Sequence, residues 1–541
     1  MSEASLVKVY NSHKIITIIF LFFALTGCAA FLKGEHEILP ISYGQLTIFL
    51  NGPEKASLDI TFNLTKISIM AQDGTWREVM NTPLDINSID MIGRQILLAE
   101  RSLPQGRYER LRFEINKAFI KRKGRLASLA LPPEGIELDT NISVYEDQNT
   151  SLFLNWNADA SITDRYLFSP VFYAKTEVPE VRTLLIYVTN EDSNNVSVIN
   201  RQLGEVVATI MVGERPKGIA LGLSRERIYV ANSGSNTISI IDPTTNKVEY
   251  NIPIRFGRGP EAVAIGELSP GKELLFVTNY DSNTVSVLDT TTYQEAERIE
   301  VGNGPIAVAV DPPIEALSRA TFGFEKLNTL RDYRQKYLNA YVANINSNTV
   351  SILKINITTG RCEEVRGRKE VIELEVEWNP IAIAMDYPRG KVYVVNHGSN
   401  NLSVIDISEV TGLFRMIEEN ERITGEDKAR AVSTITQVGI AGIGIATDPV
   451  FDRIYLLRKS PNEVIFIRPP SDAMRSAMTP IIGRVETGEL PRSLCLDPEA
   501  RKIYVVNRGS NNVSVIDKTE RKVEQIVPVG ERPYGILVFP Y

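Results

Sequence analysis

A motif that recurs seven times after residue 182, apolar–polar alternation in short runs along the rest of the chain, and Gly, Pro, Asn and Ser gathered between those runs together predict an all-β protein: a seven-bladed β-propeller preceded by a β-sandwich domain. At 541 residues the chain exceeds one small domain. Its 43% hydrophobic and 23% charged residues are those of an ordinary globular protein. A net charge of −7 supplies no whole-surface attraction to nucleic acid or anionic lipid.

The N-terminus stands outside the fold argument. Lys8 and Lys14 precede an apolar run from Ile15 to Leu25, too short to cross a bilayer as a helix, which ends in Leu25-Thr26-Gly27-Cys28. An aliphatic residue, two small ones and a cysteine resemble the lipobox of bacterial lipoproteins. The resemblance implies a signal peptide over 1–27, lipidation of Cys28, a linker over 28–40, and a membrane partner held through acyl chains. Each buried CH₂ of such an anchor contributes about 0.8 kcal/mol. Ala29 follows the cysteine where many inner-membrane lipoproteins carry Asp, so the expected location is the cell envelope, at the outer membrane or cell surface.

Residues 41–178 carry no copy of the motif. Alternating segments at Gln45–Leu50, Ser57–Met70, Tyr108–Ile115 and Ser151–Trp156, with turn residues between them, predict the β-sandwich. The run Leu103-Pro104-Gln105-Gly106-Arg107-Tyr108-Glu109-Arg110-Leu111-Arg112-Phe113 is similar to a signature of a bacterial domain family found in surface lipoproteins, with no assigned function. Gly135–Leu138 and Ser151–Trp156 fit its later part. Tyr108 and Phe113 are expected in the core.

The propeller spans 182–541. Each copy has a strand ending in Tyr-Val-x-Asn (strand B), a turn with Ser-Asn, and a strand of the Val-Ser-Val-Ile-Asp type (C). Another strand (D) follows, then Gly-x-x-Pro and a short apolar strand (A). The Tyr-Val-x-Asn segment of strand B begins at Tyr187, Tyr229, Phe276, Tyr341, Tyr393, Tyr455 and Tyr504 in the successive copies. A period of roughly 40–50 residues with four strands per copy fits a propeller blade. These motifs resemble the YVTN family of β-propeller repeats over about two-thirds of the chain. The array opens on a B strand and closes on an A strand, so Tyr534–Phe539 is expected to pair with Leu184–Asn190. The recurring Asn190, Asn232, Asn279, Asn344, Asn396 and Asn507 are read as turn-forming residues that tolerate left-handed angles. A ligand site would break the repeat instead of obeying it.

Two features break it. Insertions at Pro312–Leu338, Ile355–Lys369, Ile407–Val432 and Arg468–Ile481 lie in A–B and C–D connections, which share one face around blades 4 to 6. Insertions gathered on one face of a repeat array are candidates for its binding face. On the opposite face, non-repeating basic residues gather on blades 6, 7 and 1: Arg215, Lys217, Arg458, Lys459, Arg492, Arg508 and Arg532. Arg suits bidentate carboxylate or phosphate contacts, but Glu191, Glu214, Glu489 and Glu531 share those loops.

Chemistry is sparse. The three histidines include His36 and His397, and no P-loop, HExxH, Gly-x-Ser-x-Gly or acidic calcium loop occurs. No metal, cofactor or catalytic residue is called. Cys362 and Cys495 are too few for a disulfide scaffold and are expected to be unpaired. The favoured reading is a non-enzymatic, surface-anchored binding or scaffold module for a protein or polysaccharide. The alternatives are a hydrolase or lactonase acting from the propeller channel, and a binder of polyanions or single-stranded nucleic acid. The negative net charge argues against nucleic acid, and the sequence assigns no oligomeric state.

Overall fold

The computed structural model describes residues 42–133, 135–176, 184–313, 330–365, 368–469, 480–497 and 501–540. The signal segment, the linker and the lipidation call at Cys28 lie outside the described residues, as do the middle parts of two insertions.

The N-terminal region consists of two main sheets around one core. Val171–Lys175, Asn149–Asn157, Tyr43–Asn51 and Gln95–Pro104 form a four-stranded sheet in that order, with a parallel pair between Tyr43–Asn51 and Asn149–Asn157. The second sheet centres on Asp59–Ala71 and Gly106–Arg122, with Trp76–Met80, Leu84–Asn87, Arg125–Leu129 and Ile136–Val144 at its sides. Period-two alternation puts one face of each sheet into a shared core. There Phe62 meets the Trp156 ring edge-on at 5.2 Å. Tyr108 and Phe113 are buried in it as expected, and the Tyr108 hydroxyl donates to the Pro104 carbonyl at 2.8 Å.

Seven antiparallel sheets follow, each ordered A-B-C-D from the centre outward. Their A strands are Pro533–Val538, Pro216–Leu221, Pro260–Ser269, Pro305–Val310, Pro380–Asp386, Gly442–Asp448 and Pro491–Leu496 for blades 1 to 7, and each touches the next around a closed ring. The ring closes through the last strand as expected: Ile186 faces Val538, Tyr187 faces Leu537 and Val188 faces Ile536.

The motif residues divide the work of holding this ring. The strand-B asparagines are buried, and each Nδ2 donates to the side chains five and seven residues on; Asn344, for example, reaches Thr349 Oγ1 at 3.1 Å and Ser351 Oγ at 2.9 Å. They are not the left-handed residues. That conformation belongs to the second residue of Ser-Asn, as at Asn236 (φ 53°) and Asn348 (φ 56°). The strand-B asparagines therefore do not set the left-handed turn angle as expected: their six amides, one in every blade but the sixth, brace the turns, and a different asparagine bends them. The left-handed asparagine also reaches the next blade. Asn194, Asn236, Asn283, Asn348, Asn400 and Asn511 each accept the backbone N–H of the residue before the following motif proline (or Gly442), at 2.8–2.9 Å. The glycine of Gly-x-x-Pro is needed because a Cβ at Gly213 would lie 2.4 Å from Ser235 Oγ.

The four-stranded sheet docks on the outer strand of blade 1. Gln95 Nε2 donates to the Val206 carbonyl at 3.2 Å while Val206 N–H donates to Gln95 Oε1 at 2.9 Å. The stacked rings of Phe49 and Phe153 join a core with Val206, Val513 and Val527. Glu100 accepts from Ser193 Oγ at 2.6 Å in the B–C turn of blade 1.

The described parts of the insertions on blades 4 and 5 pack on one another. A helix over Ile407–Glu418 (α1) is capped by Asp406, and a second over Gly425–Arg430 (α2) starts in a Thr424–Asp427 capping box. The α1 side chains Val410, Leu413 and Phe414 share a core with Leu330 from the A–B insertion and Tyr387 from the neighbouring A–B turn. Lys354, 1% exposed, bridges Glu370 at 2.8 Å and Glu418 of α1 at 2.5 Å.

Candidate functional site

The strand-A residues directly after the motif proline, or after Gly442 in blade 6, lie at one end of the seven innermost strands, at the mouth of the channel. They are Tyr534, Lys217, Glu261, Ile306, Ile381, Ile443 and Arg492 for blades 1 to 7. The mouth is therefore split into an apolar arc on blades 4 to 6 and a charged arc on blades 7, 1, 2 and 3.

Within the charged arc the side chains span the opening. Glu261 of blade 3 accepts from Lys217 Nζ at 2.5 Å and from the Tyr534 hydroxyl of blade 1. Arg492 of blade 7 donates to the same hydroxyl and lies over the Tyr534 ring at 4.2 Å, with Lys217 Nζ 5.4 Å from that ring. Burial, with the Glu261 carboxylate alongside, raises the Tyr534 hydroxyl above its ordinary range even against the opposing Arg492 charge, so it remains a neutral donor.

Beside this network lies a cavity of about 570 Å³, within the range of small-ligand sites. Lys459, Arg492, Arg508 and Arg532 line it together with Ile381, Ile443 and Leu490, and no carboxylate does. Arg532 and Leu490 reach it from positive-φ positions before the motif prolines (φ 50° and 45°), set by the turn geometry described above. Arg508 is held by Glu191, a buried carboxylate that also accepts from Arg215 at 2.6 Å. Burial opposes ionisation of Glu191, but the hydrogen bonds from Arg215 and Arg508 outweigh it and keep the carboxyl below its usual range. Arg532 pairs with Asp192 at 3.3 Å, and Lys459 has no ion pair among the described residues.

Six of the seven basic candidates thus converge: Arg215, Lys217, Arg492, Arg508 and Arg532 meet three carboxylates, Glu191, Asp192 and Glu261, and Lys459 shares the cavity lining without one. The cations are in excess. Arg458 is the exception. It replaces the strand-B asparagine of blade 6, is 4% exposed, and its guanidinium is tied to buried Glu463, five residues on. An ion pair there does what the amide does elsewhere, so Arg458 belongs to the scaffold. Glu214, Glu489 and Glu531 sit exposed in the turns and do not line the cavity.

Glu261 and Tyr534 are the residues that the sequence reading missed. The signal was present: the position after the motif proline, read down all seven copies, is the one that faces the mouth. His397 Nδ1 lies 2.8 Å from the Gly442 carbonyl, a contact between neighbouring blades. Cys362 and Cys495 are free thiols, and burial pushes Cys362 up to about 12, which leaves it unreactive. No cluster of three metal-ligating side chains occurs among the described residues.

No protein-family model matches the chain, and no curated protein matches it. Solved structures with a similar fold include hydrazine synthase of Kuenenia stuttgartiensis, 19% identical over 61% of this chain and 91% of that one, with a TM-score of 0.46. A functionally unknown protein from Desulfotomaculum acetoxidans DSM 771 is 12% identical, over 66% and 99%, with a TM-score of 0.49. A protein from Bacteroides uniformis ATCC 8492, proposed as a 6-phosphogluconolactonase, is 13% identical, over 66% and 99%, with a TM-score of 0.46. The likeness extends to the fold and no further.

Proposed function

We propose that this chain is a lipid-anchored envelope protein of the YVTN repeat type whose propeller binds an anionic ligand, carried by a protein or a polysaccharide, at the channel mouth on its short-turn face. The observation that carries the reading is the cavity lined by four basic side chains and no carboxylate. Arg forks and a lysine with no ion pair are suited to charge-assisted hydrogen bonds with a carboxylate or phosphate. The anchor at Cys28 would tether the propeller to the membrane.

The test is a calorimetric titration of the soluble chain from residue 29 with citrate at two salt concentrations. The expected result is saturable binding that weakens with salt and falls about tenfold in the Lys459→Ala/Arg532→Ala double variant. Binding that is absent, or unchanged in that variant, contradicts the reading. Anchoring is tested separately, by metabolic labelling with a fatty-acid probe: label lost in Cys28→Ser supports it, and no label in the parent chain overturns it.

A channel hydrolase remains the second reading because Glu261, Tyr534 and Arg492 meet at the mouth. Both Glu261 oxygens are engaged, one by Lys217 and one by Tyr534, which leaves no base free for a water. Turnover of a simple lactone that vanishes in Glu261→Gln would reverse the order of the two readings.

A further inference from the structure

The anion reading leaves open what the charge is attached to, and the two arcs of the mouth bear on that. Consecutive D–A turns, entering blades 5, 6 and 7, present Trp378, Ile440 and Leu490, which are 68%, 54% and 58% exposed. The next two turns, entering blades 1 and 2, present Glu531 with Arg532 and Glu214 with Arg215, and of these four only Arg532 lines the cavity. The same division runs inward, where Ile381 and Ile443 face Arg492 across the cavity lining. An exposed indole, followed on the next two turns by branched aliphatics, is unusual at positions that elsewhere hold Asn, Gly, Ala, Glu and Arg, and nothing among the described residues covers it.

We propose that the ligand is an acidic sugar, a ring that carries a carboxylate, seated with its charge toward blades 7 and 1 and its C–H face toward the apolar arc of blades 5 and 6. This rests on the anion-binding reading and narrows it. The mouth already accommodates carboxylates of its own: Glu191 between Arg215 and Arg508, and Glu261 between Lys217 and the Tyr534 hydroxyl. Those pairings use one side of the basic cluster and leave Lys459 and the cavity-facing part of Arg532 for an incoming group. An acyl chain needs an enclosed apolar channel, whereas here the apolar residues stand at open turns among hydrogen-bonding backbone. A sugar matches that mixture, since aromatic faces stack on its C–H groups while its hydroxyls bond the polar surroundings.

The experiment compares three probes on the soluble chain: trigalacturonate, neutral galactotriose and citrate. Trigalacturonate is expected to bind at least tenfold more tightly than either of the others. Trp378→Ala/Ile440→Ser, two exposed side chains outside the cavity lining whose loss leaves the fold intact, is expected to weaken trigalacturonate about fivefold or more and to leave citrate unchanged. Citrate binding as tightly as trigalacturonate, or indifference of trigalacturonate to the Trp378→Ala/Ile440→Ser variant, overturns the sugar proposal while the anion site stands. Failure of every anionic probe overturns both.

Discussion

The two faces of the propeller differ in how they use departures from the repeat. The insertion face departs in chain length, and its described additions on blades 4 and 5 pack on each other: α1 packs on Leu330 and Tyr387, and Lys354 is paired with Glu370 and Glu418. The short-turn face keeps the repeat backbone, with its braced asparagines and bent Ser-Asn turns, and departs only in side chains. There the departures face the channel mouth and solvent. Excess length in a repeat protein is therefore a weak guide to its binding face. Substitution at a fixed, mouth-facing position is the better one.

Variants sharpen that contrast. The largest effect is expected from truncation after Gly530, which removes strand A of blade 1 and the pairing with Leu185–Asn190 on which both faces depend. A melt followed by circular dichroism should show no cooperative transition. A retained transition near that of the parent would mean that the ring does not need its closing strand. Next is Lys354→Ala, which strands Glu370, 2% exposed, without its cation. A loss of about 3–5 kcal/mol in urea unfolding is expected, with citrate binding by the folded fraction unchanged. A parallel loss of binding would make the insertion face part of the site.

A smaller effect comes from Glu100, where the N-terminal sheet meets the B–C turn of blade 1. Burial raises its carboxyl to about 7 from an ordinary 4.5, with Glu531 adding to the rise and the hydrogen bonds from Ser193 and Asn195 opposing it; Gln45 also donates to it. A raised folded-state value means that its contribution is fully present below pH 4.5 and is lost as the pH climbs through 7. Glu100→Gln should flatten the stability profile across that window by about 3 kcal/mol, and an unchanged slope would remove Glu100 as its source. Smallest in stability is Lys459→Ala/Arg532→Ala. Both side chains are free of structural ion pairs except Arg532 with exposed Asp192, so the change expected is below about 1 kcal/mol while binding falls tenfold.

Much of this was legible in the sequence because a repeated motif is read seven times over. Blade number, strand order and the closing strand follow from the spacing of Tyr-Val-x-Asn and Gly-x-x-Pro alone. The convergence of Arg492, Arg508 and Arg532 was legible as well, since each occupies a known offset from the motif. What escaped were contacts between side chains from blades that are not neighbours. Glu261 and Tyr534 belong to blades 3 and 1, and only the width of the opening decides whether they meet. Arg458 misled for a related reason: a cation in a repeat asparagine position looks like a departure toward solvent, but its partner Glu463, five residues on, shows that it substitutes for the buried brace.

Hydrogen–deuterium exchange with and without trigalacturonate puts the contrast between the faces to the most direct test. The account predicts added protection at 488–492, 507–511 and 530–534 and none across α1 and α2. Protection confined to 407–430, with the short turns unchanged, would contradict it.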